Sequence, residues 1–441
     1  MKPQRTISRR TWLKSAGVAG IVTLAGCTGG GGGDGGSDGG DGGDGGGSTA
    51  TETEAATDTA TATGSSMGRT LRHGILMPET GDLASVGKPI RDGAKLPVLQ
   101  LRDADTPFEY DFQVGDTQTN PQAGISAAEN LVNAGYPSIT GPASSGVNLQ
   151  VTRQVLIPNE VVGCSPSSTS PNVTTLEDND FIFRTAPSDA LQGQVIAQVA
   201  ADRLSAGAAS TMYVNNDYGQ ALSDAFTESF GGSVQETVAF EKEQPSYTSR
   251  LESALGDDPD ALVIIGYPAS GIQMFRDYYA DFDTGTDIVV TDGLKDPALP
   301  GEVGSNMSNV IGTAPSASGP SRETFASLYE EEYGQAPGVF TSQAYDATAV
   351  SLLANAAAGE NSGVAVRDAM RTVANPEGEE FTAETLPEAI EAAANGDQIN
   401  YAGASSSVNF DENGDMMAVT YEIFGFTSDG VETQDTIQFG G

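Results

Sequence analysis

Cysteine and histidine are almost missing from this chain of 441 residues, which has only Cys27, Cys164 and His73. A zinc site needs several Cys or His ligands and a catalytic triad needs a well-placed His, so neither chemistry has the residues it requires. Ser144, Ser145 and Ser165 have no histidine placed to activate them. No G-x-S-x-G turn between a strand and a helix is there to expose a nucleophile. An enzyme is therefore not expected, and neither a metal nor a cofactor is called for. Positive charge is also scarce, with 21 Lys+Arg against 60 Asp+Glu and a net charge of −39. Such an excess repels nucleic acid and anionic membrane, and it opposes compaction unless salt screens it. In molar salt the Debye length is about 3 Å, so the chain reads as a protein of an extreme halophile. A disordered acidic chain is excluded by 38% hydrophobic residues and by clear strand patterns from residue 69 onward.

The apolar run at 16–25 is too short to span a bilayer. It follows Lys2, Arg5, Arg9, Arg10 and Lys14 with no acid among them, the layout of a signal peptide over 1–26. Ser8-Arg9-Arg10-Thr11-Trp12-Leu13 resembles a twin-arginine export signal. Leu24-Ala25-Gly26-Cys27 resembles a lipobox, which makes Cys27 the expected lipidation site and membrane attachment. Cleavage before Cys27 would remove 5 positive charges and take the chain from −39 to −44. Residues 27–66 are Gly, Asp, Ser, Thr and Ala with almost nothing large, and are expected to form a flexible tether. The G-x-G-x-x-G match at 31–36 has no strand before it and no helix after it, so it is not a dinucleotide fingerprint. With Cys27 lipidated, Cys164 has no partner for an intramolecular disulfide.

From residue 69, β-rich runs alternate with helical patterns, which predicts parallel α/β layering. Strands are expected at 71–78, 110–117, 138–141, 161–165 and 181–185, and again at 211–215, 234–240, 261–267, 287–292 and 310–313. Helices are expected at 90–102, 123–134, 191–204, 218–230 and 247–255, and later at 322–333, 342–358 and 363–373. The result is two similar halves and a β-rich tail. Thr185-Ala186-Pro187-Ser188 and Thr313-Ala314-Pro315-Ser316 are each expected to stop a strand where the chain leaves one half.

Ligands of open α/β sheets lie at the carboxyl ends of strands. One such end, Gly141-Pro142-Ala143-Ser144-Ser145-Gly146, offers small residues, hydroxyls and a helix start, which suits a ligand carboxylate. It equally suits an ordinary N-cap. The remaining ends of the first half, at 78–82 and 164–170, are also rich in hydroxyls. Those of the second half bring Tyr218, Tyr267 and Asp292. This division suits an amino acid held between two lobes. Asp292 before Gly293 also fits a plain turn. Cys164 is expected to be buried and inert, and His73 to be structural or exposed. Asp411-Glu412-Asn413-Gly414-Asp415 lacks the sixth-position glycine and the closing glutamate of a calcium loop and reads as a hairpin turn. Asn172 and Asn306 stand in glycosylation-type sequons.

Pro78-Glu79-Thr80-Gly81, Gly141-Pro142-Ala143-Ser144-Ser145, Ser165 to Pro171, Phe181-Ile182-Phe183-Arg184-Thr185, Asn216-Asp217-Tyr218-Gly219 and Gly266-Tyr267-Pro268 occur in one order. In this the chain resembles, over about residues 69–430, the branched-chain-amino-acid-binding proteins of ABC importers. The resemblance implies the two-lobe type I periplasmic-binding fold, each lobe a mainly parallel sheet flanked by helices, joined by three crossovers. It implies a first lobe of 69–187 plus 316–407 and a second of 188–315 plus 408–441. It further implies that Ser144 and Ser145 hold the ligand carboxylate and that the Ser167 carbonyl faces the ammonium. The Thr169 hydroxyl would face the carboxylate, Tyr218 and Tyr267 would close from the second lobe, and Asp292 would pair with the α-ammonium. Relatives often have Glu at this last place, and others that share the fold bind amides, urea or aromatic acids. The implied partners are a small-molecule ligand and an ABC permease, with no nucleic acid, for a monomer on the outer face of the membrane. A sensor that signals to a membrane partner is the competing expectation.

Overall fold

The structure, a computed structural model, describes residues 67–282, 285–427 and 430–439. The expected signal peptide, the lipidation site Cys27 and the tether over 27–66 lie outside the described residues. Strands β1 (Thr70–Met77), β2 (Glu109–Asp116), β3 (Ser138–Thr140), β4 (Val162–Ser165) and β5 (Ile182–Arg184) form one sheet in the order β2-β1-β3-β4-β5. All its pairs are parallel. The next strands are β6 (Ala208–Val214), β7 (Ser233–Phe240), β8 (Ala261–Ile265), β9 (Asp287–Val290) and β10 (Val310–Ser316). Then come β11 (Glu379–Thr382) and β12 (Ile399–Ala402), which pair with each other, and β13 (Val419–Thr427) and β14 (Gly430–Phe439). The second sheet runs β14-β13-β10-β9-β8-β6-β7, antiparallel only where β13 and β14 join. β8 is Ala-Leu-Val-Ile-Ile and wholly buried, the composition of a parallel strand covered on both faces.

Each strand expected from the sequence is present with its ends within a few residues. The Thr-Ala-Pro-Ser stretch at 313–316 is different from expectation, because it continues β10 instead of stopping it. Beyond Gly312 the β9 side of β10 has no partner while β13 pairs through Ser316, so Pro315 sits where a missing N–H is tolerated. Helix α1 (Ala84–Asp103) starts earlier than expected and contains both Pro89 and Pro97. Its buried face of Val86, Ile90, Ala94 and Leu101 sustains it through the prolines. Helices α2 (Ser145–Val151), α3 (Asp189–Gln198), α4 (Asp217–Ser229) and α5 (Pro268–Asp281) each begin at a strand end or a crossing, and α6 (Thr341–Ala358) comes much later in the chain. The α6 helix packs on β1, β3, β4 and α1 and is buried on nearly every side.

The chain passes between the sheets after β5, after β10 and before β13. These passages are laced together. Thr185 Oγ1 donates to the Gln343 carbonyl at 2.8 Å, and Tyr421 OH donates to the Ser188 carbonyl at 3.0 Å. The Ser318 N–H donates to the Ser405 carbonyl at 2.8 Å. Asp346 of α6 fixes the last passage by accepting from the N–H groups of Ala404 (2.8 Å) and Ser405 (2.7 Å) and from Tyr401 OH (3.0 Å). A Cβ on Gly403 would stand 2.5 Å from the Asp346 carboxylate, so only glycine fits this close approach. The 411–415 stretch is a hairpin turn in which Phe410 bridges Met416, and the Gly414 carbonyl accepts from the Arg184 N–H at 3.0 Å.

His73 is buried in the first sheet, with Nδ1 at 2.8 Å from Ser138 Oγ and Nε2 at 2.7 Å from Thr140 Oγ1. Burial lowers its pKa to about 3. The native state therefore refuses a proton that the unfolded chain accepts below its ordinary pKa of about 6.5. Stability is fully present above that value and falls as the pH drops toward 3. At pH 5 the loss amounts to about 2 kcal/mol. Urea titrations of the wild type and His73→Gln at pH 7 and pH 5 check this: the pH-dependent drop in stability is expected to be smaller by about that amount in the variant.

Candidate ligand-binding site

Gly141 ends β3 with φ +111, and a Cβ there would lie 2.1 Å from the Leu76 carbonyl. The chain can therefore turn close against β1 and bring Ser144 and Ser145 to the sheet end. Ser144 occupies the N-cap position of α2 and makes no capping bond. Its hydroxyl instead lies 3.0 Å from Tyr267 OH, across the cleft between the sheets. Ser145 Oγ accepts from the Ser170 N–H at 3.2 Å, and Ser167 Oγ donates to the Ala143 carbonyl at 3.3 Å. Ser165 donates to the Pro142 carbonyl at 2.6 Å and accepts from Ser168 N–H at 2.9 Å. From beneath, the Arg184 guanidinium donates to the carbonyls of Ser168 (3.2 Å) and Ser170 (2.9 Å) and holds Asp415 at 2.6 Å. The hydroxyl-rich loop is thus tied down on both sides.

The second sheet supplies the opposite wall. Asn216 caps α4, accepting from the N–H groups of Tyr218 (3.1 Å) and Gly219 (3.0 Å), while its Nδ2 donates to Tyr267 OH at 3.1 Å. Tyr218 and Tyr267 stack with ring centroids 5.7 Å apart. Tyr218 OH is 2.7 Å from Thr291 Oγ1 and donates to Asp292 Oδ1 at 3.3 Å. Burial pushes the Asp292 carboxyl up to about 6 and raises both phenols.

Ser144, Ser145, Ser167, Tyr218, Tyr267 and Asp292 line one tight cavity of about 20 Å³, room for a water molecule and little more with the walls this close. Thr169 is not in its lining; its hydroxyl donates to Asp189 Oδ2 at 3.0 Å, because a buried carboxylate is within reach. The cavity's apolar roof, Leu83, Val86, Ile90, Val339 and Phe340, was not anticipated. The signal for the first three was the i, i+3, i+7 spacing that starts directly after the first strand end. Phe340 stands in the left-handed region at φ +61, a conformation that the sequence does not announce.

The cleft is shut at its rim as well. Asp82, at the β1 end, accepts from the Ser270 N–H at 2.7 Å and from the Ser270 hydroxyl at 2.9 Å, capping the first turn of α5 from the other sheet. Lys242 donates to the Thr119 carbonyl across the same rim.

A family profile described as "Periplasmic binding protein" matches residues 70–385. The chain belongs to this family of periplasmic binding proteins. Among its relatives is the chemotactic signal transduction system substrate-binding protein BasB of Halobacterium salinarum, 28% identical over 336 residues, which are 74% of this chain and 78% of BasB. The fold is shared with the leucine binding protein LivK of Thermotoga maritima, at a TM-score of 0.71 and 24% identity over 83% of this chain and 98% of that one. It is shared too with a solute binding protein of R. palustris solved with benzoate, at a TM-score of 0.69 and 16% identity over 84% and 98% of the two chains. These are two-lobe, type I structures, and the relatives of this periplasmic binding protein are solute-binding proteins rather than enzymes.

Loss of the rim contact is directly measurable. Asp82→Ala is expected to raise amide hydrogen exchange at Ser270 and its helix-start neighbours by about tenfold or more, since a bond to a charged acceptor is removed. Unchanged exchange at Ser270 would show that the cleft stays shut without Asp82.

Proposed function

We propose that this periplasmic binding protein is a lipid-anchored extracellular receptor that captures an amino acid, branched-chain or similar, by lobe closure and hands it to an ABC importer. The observation that carries the reading is the composition of the cavity. Hydroxyls on one wall, a buried acid and two tyrosines on the other and an aliphatic and aromatic roof complement a zwitterion with an apolar side chain. In this reading Ser144 and Ser145 take the carboxylate, Tyr218 and Tyr267 close over it, and Asp292 pairs with the ammonium, assisted by the Ser167 carbonyl. Thr169, whose proton goes to Asp189, contributes by holding that acid in place. The lobes are 69–187 plus 316–407 and 188–315 plus 408–441, and attachment is through lipid on Cys27. Bound solute shifts the hinge equilibrium only through contacts that the closed form adds.

The name of the leucine binding protein supports this ligand class. A second reading, a sensor that reports the same ligand to a membrane partner, is favoured by BasB, a substrate-binding protein of a chemotactic signal transduction system.

Mass spectrometry of small molecules released from the denatured full chain, followed by thermal-shift screening in molar KCl, tests the proposal. An amino acid is expected to be released and to raise the melting temperature when added back. A chain that ignores amino acids and shifts with amides, urea or benzoate refutes it. Asp292→Ala leaves a buried ammonium without its counter-charge and is expected to weaken amino-acid binding by about 3 kcal/mol or more, over about a hundredfold. Because Asp292 must be ionised to pair, wild-type affinity is expected to fall as the pH drops from 7.5, most steeply once it passes below about 6. Isothermal titration from pH 7.5 to 5 reads both effects.

A further inference from the structure

Behind Asp292 lies a second acid that the cavity lining does not include. Asp189 opens α3 and is fully buried. Its Oδ2 accepts from Thr169, but its Oδ1 has no hydrogen-bond partner among the described residues. Gln192, one turn on and on the same face, donates through Nε2 to the Thr313 carbonyl at 3.1 Å and also stabilises the Asp292 carboxylate, while its Oε1 is without a partner among the described residues. Two acceptors are therefore orphaned beside the wall that carries Asp292. The groups that face Asp189 do not supply the missing donors. From β5, Arg184 is engaged by Asp415 at 2.6 and 2.8 Å, by two carbonyls and by Thr174. From β13, Tyr421 OH donates to the Ser188 carbonyl, and from α4, Tyr218 donates to Asp292. Among the described residues the only cation acting on Asp189 is thus Arg184, which is already paired with Asp415.

Two adjacent carboxylates without a second cation cannot both stay ionised in a dry interior. Burial and the charge of Asp292 accordingly raise the Asp189 carboxyl well above the usual range. Resting on the ammonium reading given above, we propose that Asp189 is a second acid of the ligand's cation site, protonated while the site is empty and ionised when an ammonium docks against Asp292, so that ammonium-bearing ligands are selected over plain carboxylates. An ammonium brings one positive charge and three N–H donors to a wall whose lining holds no cation and behind which an Asp189 oxygen is unpartnered among the described residues. As it enters, the proton on Asp189 leaves to solvent, and the negative charge gained by the wall offsets the positive charge of the ammonium. A plain carboxylate brings no cation, so Asp189 keeps its proton.

The test uses the full chain in molar KCl, because salt screens the surface and leaves a buried pair intact. Isothermal titration at pH 7 in buffers of different ionisation enthalpy is run with L-leucine, 4-methylpentanoate and benzoate on the wild type and Asp189→Asn. L-Leucine is expected to release part of a proton from the wild type and none from D189N. Its affinity is expected to fall about tenfold in D189N, while that of 4-methylpentanoate, the same skeleton without the ammonium, is unchanged. Equal loss for both probes, or equal proton release from both proteins, overturns the proposal. The infrared carbonyl band of a protonated carboxyl gives a ligand-free check: it is expected in the empty wild type, absent from empty D189N, and reduced in the wild type by L-leucine. Should D189N fail to fold, the change in that wild-type band on adding L-leucine decides alone. If no amino acid binds, the ammonium reading and the selectivity assigned to Asp189 both fall, and the band separates the causes. A band in the empty wild type means that the ligand class was wrong, and no band means that the proton was never there.

Discussion

A charged group taken out of water must be given replacement hydrogen bonds, and in this molecule that requirement decides which segments meet. Arg184 draws the loop carrying Ser168 and Ser170, Thr174 and the hairpin residue Asp415 around one guanidinium, so the floor of the cavity and the C-terminal stretch are held by the same side chain. Asp346 does the same for the last crossing, and Asp82 reaches from the first sheet to cap a helix of the second. Asp292 and Asp189 differ from these. Asp292 lines the cavity, and behind it Asp189 keeps one carboxylate oxygen without a hydrogen-bond partner among the described residues.

Much of the architecture was legible because its causes are local. Runs of β-branched residues bounded by turn residues mark the strands, and the rule that ligands sit at strand ends then points to Ser144, Ser145, Tyr218, Tyr267 and Asp292, all of which reach one cavity. The fate of the Ser144 hydroxyl was not legible. A serine before a helix reads as a cap, and only the position of Tyr267, 123 residues later, shows that the hydroxyl is directed across the cleft. The roof was hidden for a related reason: periodicity shows that Leu83, Val86 and Ile90 are buried, not what they are buried against. Asp189 was hidden by its ordinary local meaning, since an acid in the first turn of a helix complements the helix dipole and calls for no other explanation.

Two electrostatic regimes coexist. The surface excess of acid, part of the net charge of −39, answers to salt, because exposed charges more than a Debye length apart are screened. The interior acids do not, because they interact through protein. Ionic strength thus acts on the repulsion between the surface acids, while buried hydrogen bonds control how the two halves of the cleft engage. The direct bond between Ser144 and Tyr267 belongs to the second regime. It joins two neutral hydroxyls, a contact whose net worth is about 1 kcal/mol and which therefore can open and close readily.

The placement of α6 has a consequence for the order of assembly. All five strands of the first sheet are complete at Arg184, yet the helix that covers β1, β3 and β4 begins at Thr341. Until the ribosome has made that helix, α1 covers β1 and β2 while β3 and β4 lack the cover that α6 gives them. The contacts that finish it span more than 150 residues and pay the loop-closure entropy of that separation. The strands of the second sheet from β6 to β10, by contrast, lie within one continuous stretch. In this chain the half that emerges first is completed only after most of the other has been made.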